Sequence, residues 1–196
     1  MIRVQGKIPR QVHLACSGGV DSMAAADFLS RNHDVTLIFF DHGTETSEQA
    51  REFITEYADR KDLPLEIGEI QSSKPTSESL EEYWRNERYA FFRKFPWVIT
   101  AHHLDDCVEN WIWSSLHGDP KVIPYFNAQV FRPFRLNRKQ VFIDWATRHN
   151  VPWIEDISNQ DTKHMRNYIR HELLEKCLVV NPGLHKVVAR KVENRQ

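Results

Sequence analysis

Residues 15–22 have the sequence Ala-Cys-Ser-Gly-Gly-Val-Asp-Ser and join a predicted buried strand to a predicted helix. Gly18 and Gly19 lack a Cβ, so the backbone there can bring its N–H groups close to an anion. Ser17 and Ser22 add hydroxyl donors, and the following helix directs the positive end of its dipole to the same place. The turn therefore predicts a site for a pyrophosphate group.

An acidic residue, Asp21, distinguishes this turn from other phosphate-binding loops. The Gly-x-x-x-x-Gly-Lys-Ser/Thr spacing of a Walker loop is absent. A carboxylate would repel bare phosphate, which favours a Mg²⁺ ion between Asp21 and the pyrophosphate. We therefore expect Asp21 to bind a metal.

Outward from this turn, apolar runs alternate with amphipathic helices as far as Leu116. Repeated strand–helix units imply parallel strands joined by right-handed crossovers. The prediction is an α/β protein with a doubly wound, mostly parallel sheet. Strands are predicted at 12–15, 35–40, 65–70 and 97–101, and helices at 20–31, 46–61, 79–94 and 103–116.

The alternation stops after Leu116, and the sequence predicts an irregular connection followed by further helices. We expect a nucleotide-binding core over residues 1–131 and a basic helical segment over residues 132–196, packed on the same domain. The predicted parts of the second half are an irregular link at 117–126, a helix at 138–149, an extended piece at 151–154, a polar turn at 156–162, a helix at 165–177, and a last dozen residues that fray.

Charge is distributed unevenly along the chain, although the net charge is only −1. Residues 1–131 contain 13 basic and 20 acidic side chains, whereas residues 132–196 contain 13 basic and 7 acidic ones. A polyanionic partner would therefore contact the C-terminal segment first. An ordinary solvated basic helix is the alternative explanation.

Composition indicates a globular protein of a reducing compartment. Hydrophobic residues make up 41% and charged residues 27% of 196 positions, which suits one well-buried domain. Three widely spaced cysteines argue against a disulfide scaffold, a cysteine-rich zinc site and an iron–sulfur cluster. Because the sequence shows neither a signal peptide nor a membrane span, we expect a cytoplasmic protein without a membrane partner.

Two further motifs follow predicted strands and should meet the Ser-Gly-Gly turn at one edge of the sheet. Asp-His-Gly occupies residues 41–43, and Ala-His-His-Leu-Asp-Asp occupies residues 101–106. Glu109 shares a helix face with Asp105 and Asp106, and three crowded acids favour a cation between them, either Mg²⁺ or a substrate ammonium. The alternative for the three acids is an ordinary solvated helix face, and the alternative for His42 is an ordinary loop position. A zinc site at His102 and His103 is less favoured than either a Mg²⁺ or an ammonium site at the acids.

Taken in order, these motifs resemble a known family. Residues 17–22 resemble the PP-loop of the ATP pyrophosphatases, and residues 41–43 and 101–109 resemble motifs of the tRNA(Ile)-lysidine synthases. The similarity extends over residues 11–178. It continues in Arg85-x-x-Arg88-Tyr89, in Arg132-Pro133-Phe134, in Pro152-Trp153-x-Glu155-Asp156-x-Ser158-Asn159-x-Asp161 and in Arg166-Asn167-x-Ile169-Arg170-His171.

The resemblance implies an ATP- and Mg²⁺-dependent ligase that adenylates the wobble cytidine of an isoleucine tRNA with a CAU anticodon and attaches L-lysine, releasing AMP and pyrophosphate. The resemblance implies that the pyrophosphate is held by Ser17, Gly18, Gly19, Asp21 and Ser22, and that His42 and Arg85 contact nucleotide phosphates. It implies that Asp21 and Asp105 bind the metal, and that Asp106 and Glu109 bind lysine and complete a catalytic set with Asp21 and Asp105. It also implies that Arg166, Asn167 and Arg170 face tRNA or ATP. A capping and salt-bridge role is the alternative for the last three.

The chain also departs from the family pattern. Thr44-Glu45 stands where the family usually has Leu-Arg, and Trp84 stands where a small residue usually precedes Arg85. Family members normally carry further domains that grip tRNA, so we expect a short form assisted by a partner protein or by a second copy. A tRNA thiolase, an amidating ligase and a non-catalytic nucleotide- or tRNA-binding protein are the alternative functions.

Overall fold

Six strands form a single sheet in the computed structural model, which describes residues 1–155 and 165–194. The spatial order is β3-β2-β1-β4-β6-β5, and every pairing is parallel except the antiparallel pair β5–β6. This confirms the predicted mostly parallel α/β sheet. The strands are β1 (Gln11–Ala15), β2 (Asp34–Asp41), β3 (Leu65–Glu69), β4 (Val98–Ile99), β5 (Phe126–Asn127) and β6 (Val130–Phe131).

Helices connect the strands and follow the last of them. The first four begin within two residues of the predicted positions, and Thr44 caps α2. The helices are α1 (Val20–Ser30), α2 (Glu45–Lys61), α3 (Leu80–Phe92), α4 (Leu104–Leu116), α5 (Lys139–His149), α6 (Met165–Tyr168), α7 (Leu174–Val180) and α8 (Leu184–Glu193), with a π-helical turn at Ile169–Leu173 between α6 and α7.

Apolar side chains on both faces of the sheet explain why helices cover both sides. In β2, Leu37 and Phe39 pack into a core with residues of α1, α2 and α5, whereas Ile38 and Phe40 pack on the other face against Phe91 of α3. Because successive strand residues point to opposite faces, a nearly continuous apolar run is what a doubly covered strand requires. The doubly wound arrangement is thereby confirmed.

Four features from β4 onward differ from prediction. The strand predicted at 97–101 is only two residues long, and the short strands β5 and β6 were missed. The helix predicted at 165–177 is interrupted by the π-helical turn. The expected fraying of the last dozen residues is wrong over most of that stretch, because α8 buries Leu184, Val188 and Val192 against α4. The polar turn predicted at 156–162 lies outside the described residues.

The strand order places a crevice beside β1. From β1 the chain builds the sheet first toward β2 and β3 and later, on the other side, toward β4 and β6. Ligands of open α/β sheets bind at such a switch point, beyond the carboxyl ends of the strands. The turn after β1 and the start of α4 after β4 both lie there.

Over residues 1–155 and 165–194, every helix falls short of the length and apolar character that a bilayer-spanning segment needs.

Candidate active site

The turn after β1 depends on glycine at position 18. Gly18 has φ +81°, a backbone region that side chains other than glycine rarely adopt. A Cβ there would also lie 2.9 Å from Ile154 Cδ1, and the Gly18 carbonyl accepts a 3.0 Å hydrogen bond from the Ile154 N–H. The segment after α5 therefore holds the turn in place.

Serine hydroxyls fix the inside of the same turn. Ser22 Oγ accepts a 3.1 Å hydrogen bond from the Ser17 N–H and donates a 2.9 Å hydrogen bond to the Gly19 carbonyl. Gly19 is the N-cap of α1, and glycine has no side chain with which to cap that helix. The N–H groups of its first turn are consequently available to an anion.

Asp21 lies in the first turn of α1 with one oxygen, Oδ1, buried and without a hydrogen-bond partner among the described residues. A buried carboxylate oxygen without a partner is costly, so a cation at this position would stabilise it. Asp21 therefore fits the metal role that the sequence predicts.

His103 connects this turn to the acids of α4, a contact that the sequence analysis did not predict. Its Nε2 lies 3.5 Å from Asp21 Oδ2, and its Nδ1 lies 3.4 Å from Asp106 Oδ2. Burial alone would lower the pKa of His103, but the carboxylates of Asp106, Asp21 and Asp105 outweigh it and raise that pKa. The available signal was the capping pattern, since His103 caps α4 and Asp106 stands three residues later.

Two buried acids on α4 are neutralised by two arginines. Arg166 Nη2 donates to Asp106 Oδ1 at 2.8 Å, and Arg166 Nε donates to Glu109 Oε2 at 3.1 Å. Arg170 forms a bidentate ion pair with Glu109, in which Nε donates to Oε1 at 2.7 Å and Nη2 donates to Oε2 at 3.0 Å. Asn167 is buried beside them. The predicted cation between crowded acids is thus supplied here by the chain's own guanidinium groups, as the salt-bridge alternative expects.

These ion pairs keep the acidic and basic side chains ionised at neutral pH. Burial would raise the pKa of Asp106, but His103, His102 and Arg166 lower it below its usual value. Burial would lower the pKa of Arg170, whereas Glu109 and Asp106 raise it. The cluster therefore holds fixed, opposite charges in a buried place, which is where electrostatic interactions are strongest.

Asp105 points to a different group of partners. Its carboxylate accepts hydrogen bonds from Arg138 Nε at 3.0 Å and from the Lys139 N–H at 2.7 Å, and it lies 3.2 Å from His185 Nε2. These contacts lower its pKa despite burial. Asp105 thus joins α4 to α5 and α8, and its metal role stays a prediction. No group of three or more acidic, histidine or cysteine side chains arranged to hold a metal occurs in the described part of the chain.

The other predicted nucleotide contacts lie after β2 and on α3. The ring of His42 packs between Phe40 and Trp84, with centroid distances of 5.1 and 5.3 Å. Burial, assisted by the charge of Arg88, lowers the pKa of His42 to about 4. Arg85 is exposed and lies over the Tyr89 ring. His42 is therefore neutral at pH 7, so a contact of its ring with phosphate would be a hydrogen bond rather than an ion pair.

The two buried cysteines do not suit a sulfur-transfer reaction. Cys16 and Cys107 are buried, and burial raises the pKa of both thiols, that of Cys107 to about 12. Nucleophilic cysteines require the opposite shift. This disfavours the thiolase alternative.

A parallel sheet with a glycine–serine turn at its switch point defines a nucleotide-binding α/β protein. The chain belongs to the PP-loop domain family, whose model matches residues 3–177. The fold is also similar to that of an NH3-dependent NAD synthetase from Campylobacter jejuni, with a TM-score of 0.56 at 17% identity over 97% of this chain and 87% of that one.

Curated relatives agree with the family resemblance. The chain is 29% identical to a tRNA(Ile)-lysidine synthase of Exiguobacterium sibiricum, in an alignment that covers 87% of this chain. It is also 29% identical to the tRNA(Ile)-lysidine synthase of Nitrosomonas europaea, in an alignment that covers 98% of this chain. It covers 44% and 46% of those two proteins. The chain therefore spans less than half the length of these relatives.

Proposed function

We propose that the chain is the catalytic part of an ATP-dependent, tRNA-modifying ligase that joins lysine to the wobble cytidine of an isoleucine tRNA. The observation that carries this proposal is the His103 bridge, which places the anion-binding turn beside the buried acids of α4. One half of the site suits a pyrophosphate and the other suits an ammonium group. The names of the curated relatives support the same substrates.

In the first step the cytosine C2 oxygen attacks the α-phosphorus of ATP, and the bond to the bridging oxygen of the β-phosphate breaks. Pyrophosphate leaves, and the N–H groups at the start of α1 together with the Ser17 hydroxyl stabilise its charge, while Ser22 holds the turn in shape through its hydrogen bonds with Ser17 and Gly19. Mg²⁺ held by Asp21 would supply further charge neutralisation at the pyrophosphate.

In the second step the lysine ε-ammonium gives a proton to water, the resulting amine attacks the activated C2 carbon, and AMP leaves with the oxygen that was bonded to C2. Asp106 and Glu109 hold the ammonium beforehand. Because the pKa of Asp106 is lowered, this carboxylate stays charged and binds the ammonium rather than taking its proton. Arg166, whose side chain is 53% exposed against 24% for Arg170, is the guanidinium that the ammonium would displace.

The proposed reaction also implies a compartment and a source of additional tRNA affinity. Such an enzyme works in the cytoplasm, where tRNA, lysine and ATP are present. A partner protein or a second copy of the chain would add affinity for tRNA.

The deciding experiment incubates the purified chain with ATP, Mg²⁺, labelled lysine and an isoleucine tRNA bearing a CAU anticodon. We expect label in the tRNA and equal release of AMP and pyrophosphate, both lost in Asp21→Ala. Asp144→Ala, at an exposed position on α5, is the matched control and should keep activity. ATP binding without turnover, or AMP release without lysine transfer, would refute the proposal.

A further inference from the structure

Trp84 and His42 form a small aromatic surface next to the site. Trp84 lies on α3 and is only partly buried, and its ring centroid is 5.3 Å from that of His42, which follows β2. The other side of His42 packs edge-on against Phe40, which belongs to the core. The core thus holds His42 in place, and His42 in turn orients Trp84.

One polar atom of this surface lacks a partner. Within the described part of the chain, His42 Nδ1 is buried without a hydrogen-bond partner. Trp84 adds an indole ring that is only partly buried. The pair therefore combines an accessible aromatic side chain with an unsatisfied ring nitrogen.

Two arginines of α3 lie near this surface. Arg88 is close enough to His42 and to Arg166 to interact electrostatically with both, and Arg85 adds a second cation next to Trp84 in sequence. Neither Arg85 nor Arg88 forms an ion pair with a carboxylate among residues 1–155 and 165–194. The Asp41 carboxylate is near His42 but is engaged by Ser47, Gly43 and Arg51.

We propose that Trp84 and His42 form a stacking face for a nucleobase, flanked by Arg85 and Arg88 for the attached phosphate. Aromatic rings bind bases by stacking, and guanidinium groups bind the backbone phosphates. Arg88 also lies close enough to Arg166, which pairs with Asp106, to interact electrostatically with it. The inference deepens the proposed function, on which it rests, because both ATP and RNA carry a base.

The test measures ligand binding by the full chain in three variants. Trp84→Leu removes the stacking face, Trp84→Phe keeps an aromatic ring, and Trp113→Leu is the matched control. Trp113 is also partly exposed and packs on a histidine, His117, at 4.4 Å, but it lies at the far end of α4. The ligands are ATP, tripolyphosphate and an RNA stem-loop with a CAU anticodon.

We expect Trp84→Leu to weaken either ATP or the stem-loop by about 5- to 150-fold, the range that loss of one base stack produces. Trp84→Phe and Trp113→Leu should bind like the wild type, and tripolyphosphate, which has no base, should bind equally to all. A loss for ATP assigns the face to adenine, and a loss for the stem-loop assigns it to an RNA base.

Three results would overturn the inference: unchanged binding of both base-containing ligands by Trp84→Leu, an equal loss for tripolyphosphate, or no binding of either base-containing ligand by the wild type. Lysine transfer is measured separately. If no lysine is transferred but the Trp84 effect on binding persists, the proposed function fails while the stacking face stands.

Discussion

At the scale of single residues, the main feature of the site is a set of buried acidic side chains that form ion pairs with arginines. Asp106 and Glu109 are almost completely buried, and each contacts a guanidinium. Removing one partner from such a pair leaves an uncompensated charge, which costs more than the pair itself contributes. Substitutions here should therefore affect both stability and substrate use.

Glu109→Gln removes the carboxylate that pairs with Arg170 and Arg166. We expect the free energy of unfolding to fall by about 3–5 kcal/mol and the KM for lysine to rise, because the ammonium loses one of its two anions. Chemical denaturation and a lysine titration measure the two effects. Glu175→Gln, at an exposed position on α7, should change neither. An unchanged KM for lysine in a folded Glu109→Gln protein would contradict the role of Glu109.

Gly18→Ala tests the turn after β1. The new Cβ would meet Ile154 at 2.9 Å and would require a strained positive φ, so we expect ATP affinity to fall and stability to drop by about 1–3 kcal/mol. Calorimetric titration with ATP and thermal unfolding measure this. Gly118→Ala has a similar φ of +83° and no atom within 4 Å, so it separates backbone strain from the contact with Ile154. Equal ATP binding by both variants and the wild type would contradict the prediction.

At the scale of elements, Asp105 determines how three helices meet. Its oxygens contact the start of α5 through Arg138 and Lys139 and reach α8 through His185. Because these partners lower its folded-state pKa, the carboxylate contributes stability above its usual pKa of 3.8 and loses that contribution as the pH falls through the lowered value.

Asp105→Asn should therefore destabilise the protein at pH 7 by about 2 kcal/mol, the scale of hydrogen bonds to a charged group. The difference from the wild type should shrink as the pH falls below about 4. Denaturant unfolding at several pH values measures it, with Asp144→Asn, on the exposed side of α5, as the control. A difference that stays constant down to acid pH would show that the charge of Asp105 is not the cause.

The sequence predicts the first four strand–helix units well, because long apolar runs and 3.6-residue periodicity depend on local sequence. It misses β5 and β6, because two-residue strands carry no periodic signal. That α8 is a packed helix could have been predicted from Leu184, Val188 and Val192, which recur every four residues. The basic residues around them suggested instead that this end of the chain is frayed and exposed to solvent. The pairing of Arg166 and Arg170 with the acids depends on packing between distant helices, which no local pattern shows.

At the scale of the whole molecule, acidic side chains outnumber basic ones in residues 1–131, and basic ones outnumber acidic ones in residues 132–196. Exposed Lys186 and Arg190 lie on the solvent side of α8, opposite the residues packed on α4. A phosphate backbone that contacts these side chains releases counterions, so its binding should depend on salt.

Replacing Lys186 and Arg190 with Gln should weaken tRNA binding and reduce the slope of log affinity against log salt by about 1 to 2. Fluorescence anisotropy across a salt series measures it. Replacing Lys7 and Lys74, which are exposed in the acidic part, is the matched control and should leave the slope unchanged. The same reduction in both double variants would show that tRNA does not prefer the basic segment.

The pairing of Glu109 with Arg166 and Arg170 also bears on the order in which the chain can fold during synthesis. The partners are separated by 57 and 61 positions, so a ribosome completes the acidic helix well before the arginines emerge. Until then, α4 would have to bury Asp106 and Glu109 without their counter-charges. We therefore expect the nascent chain to keep α4 undocked until Arg166 and Arg170 have left the ribosome.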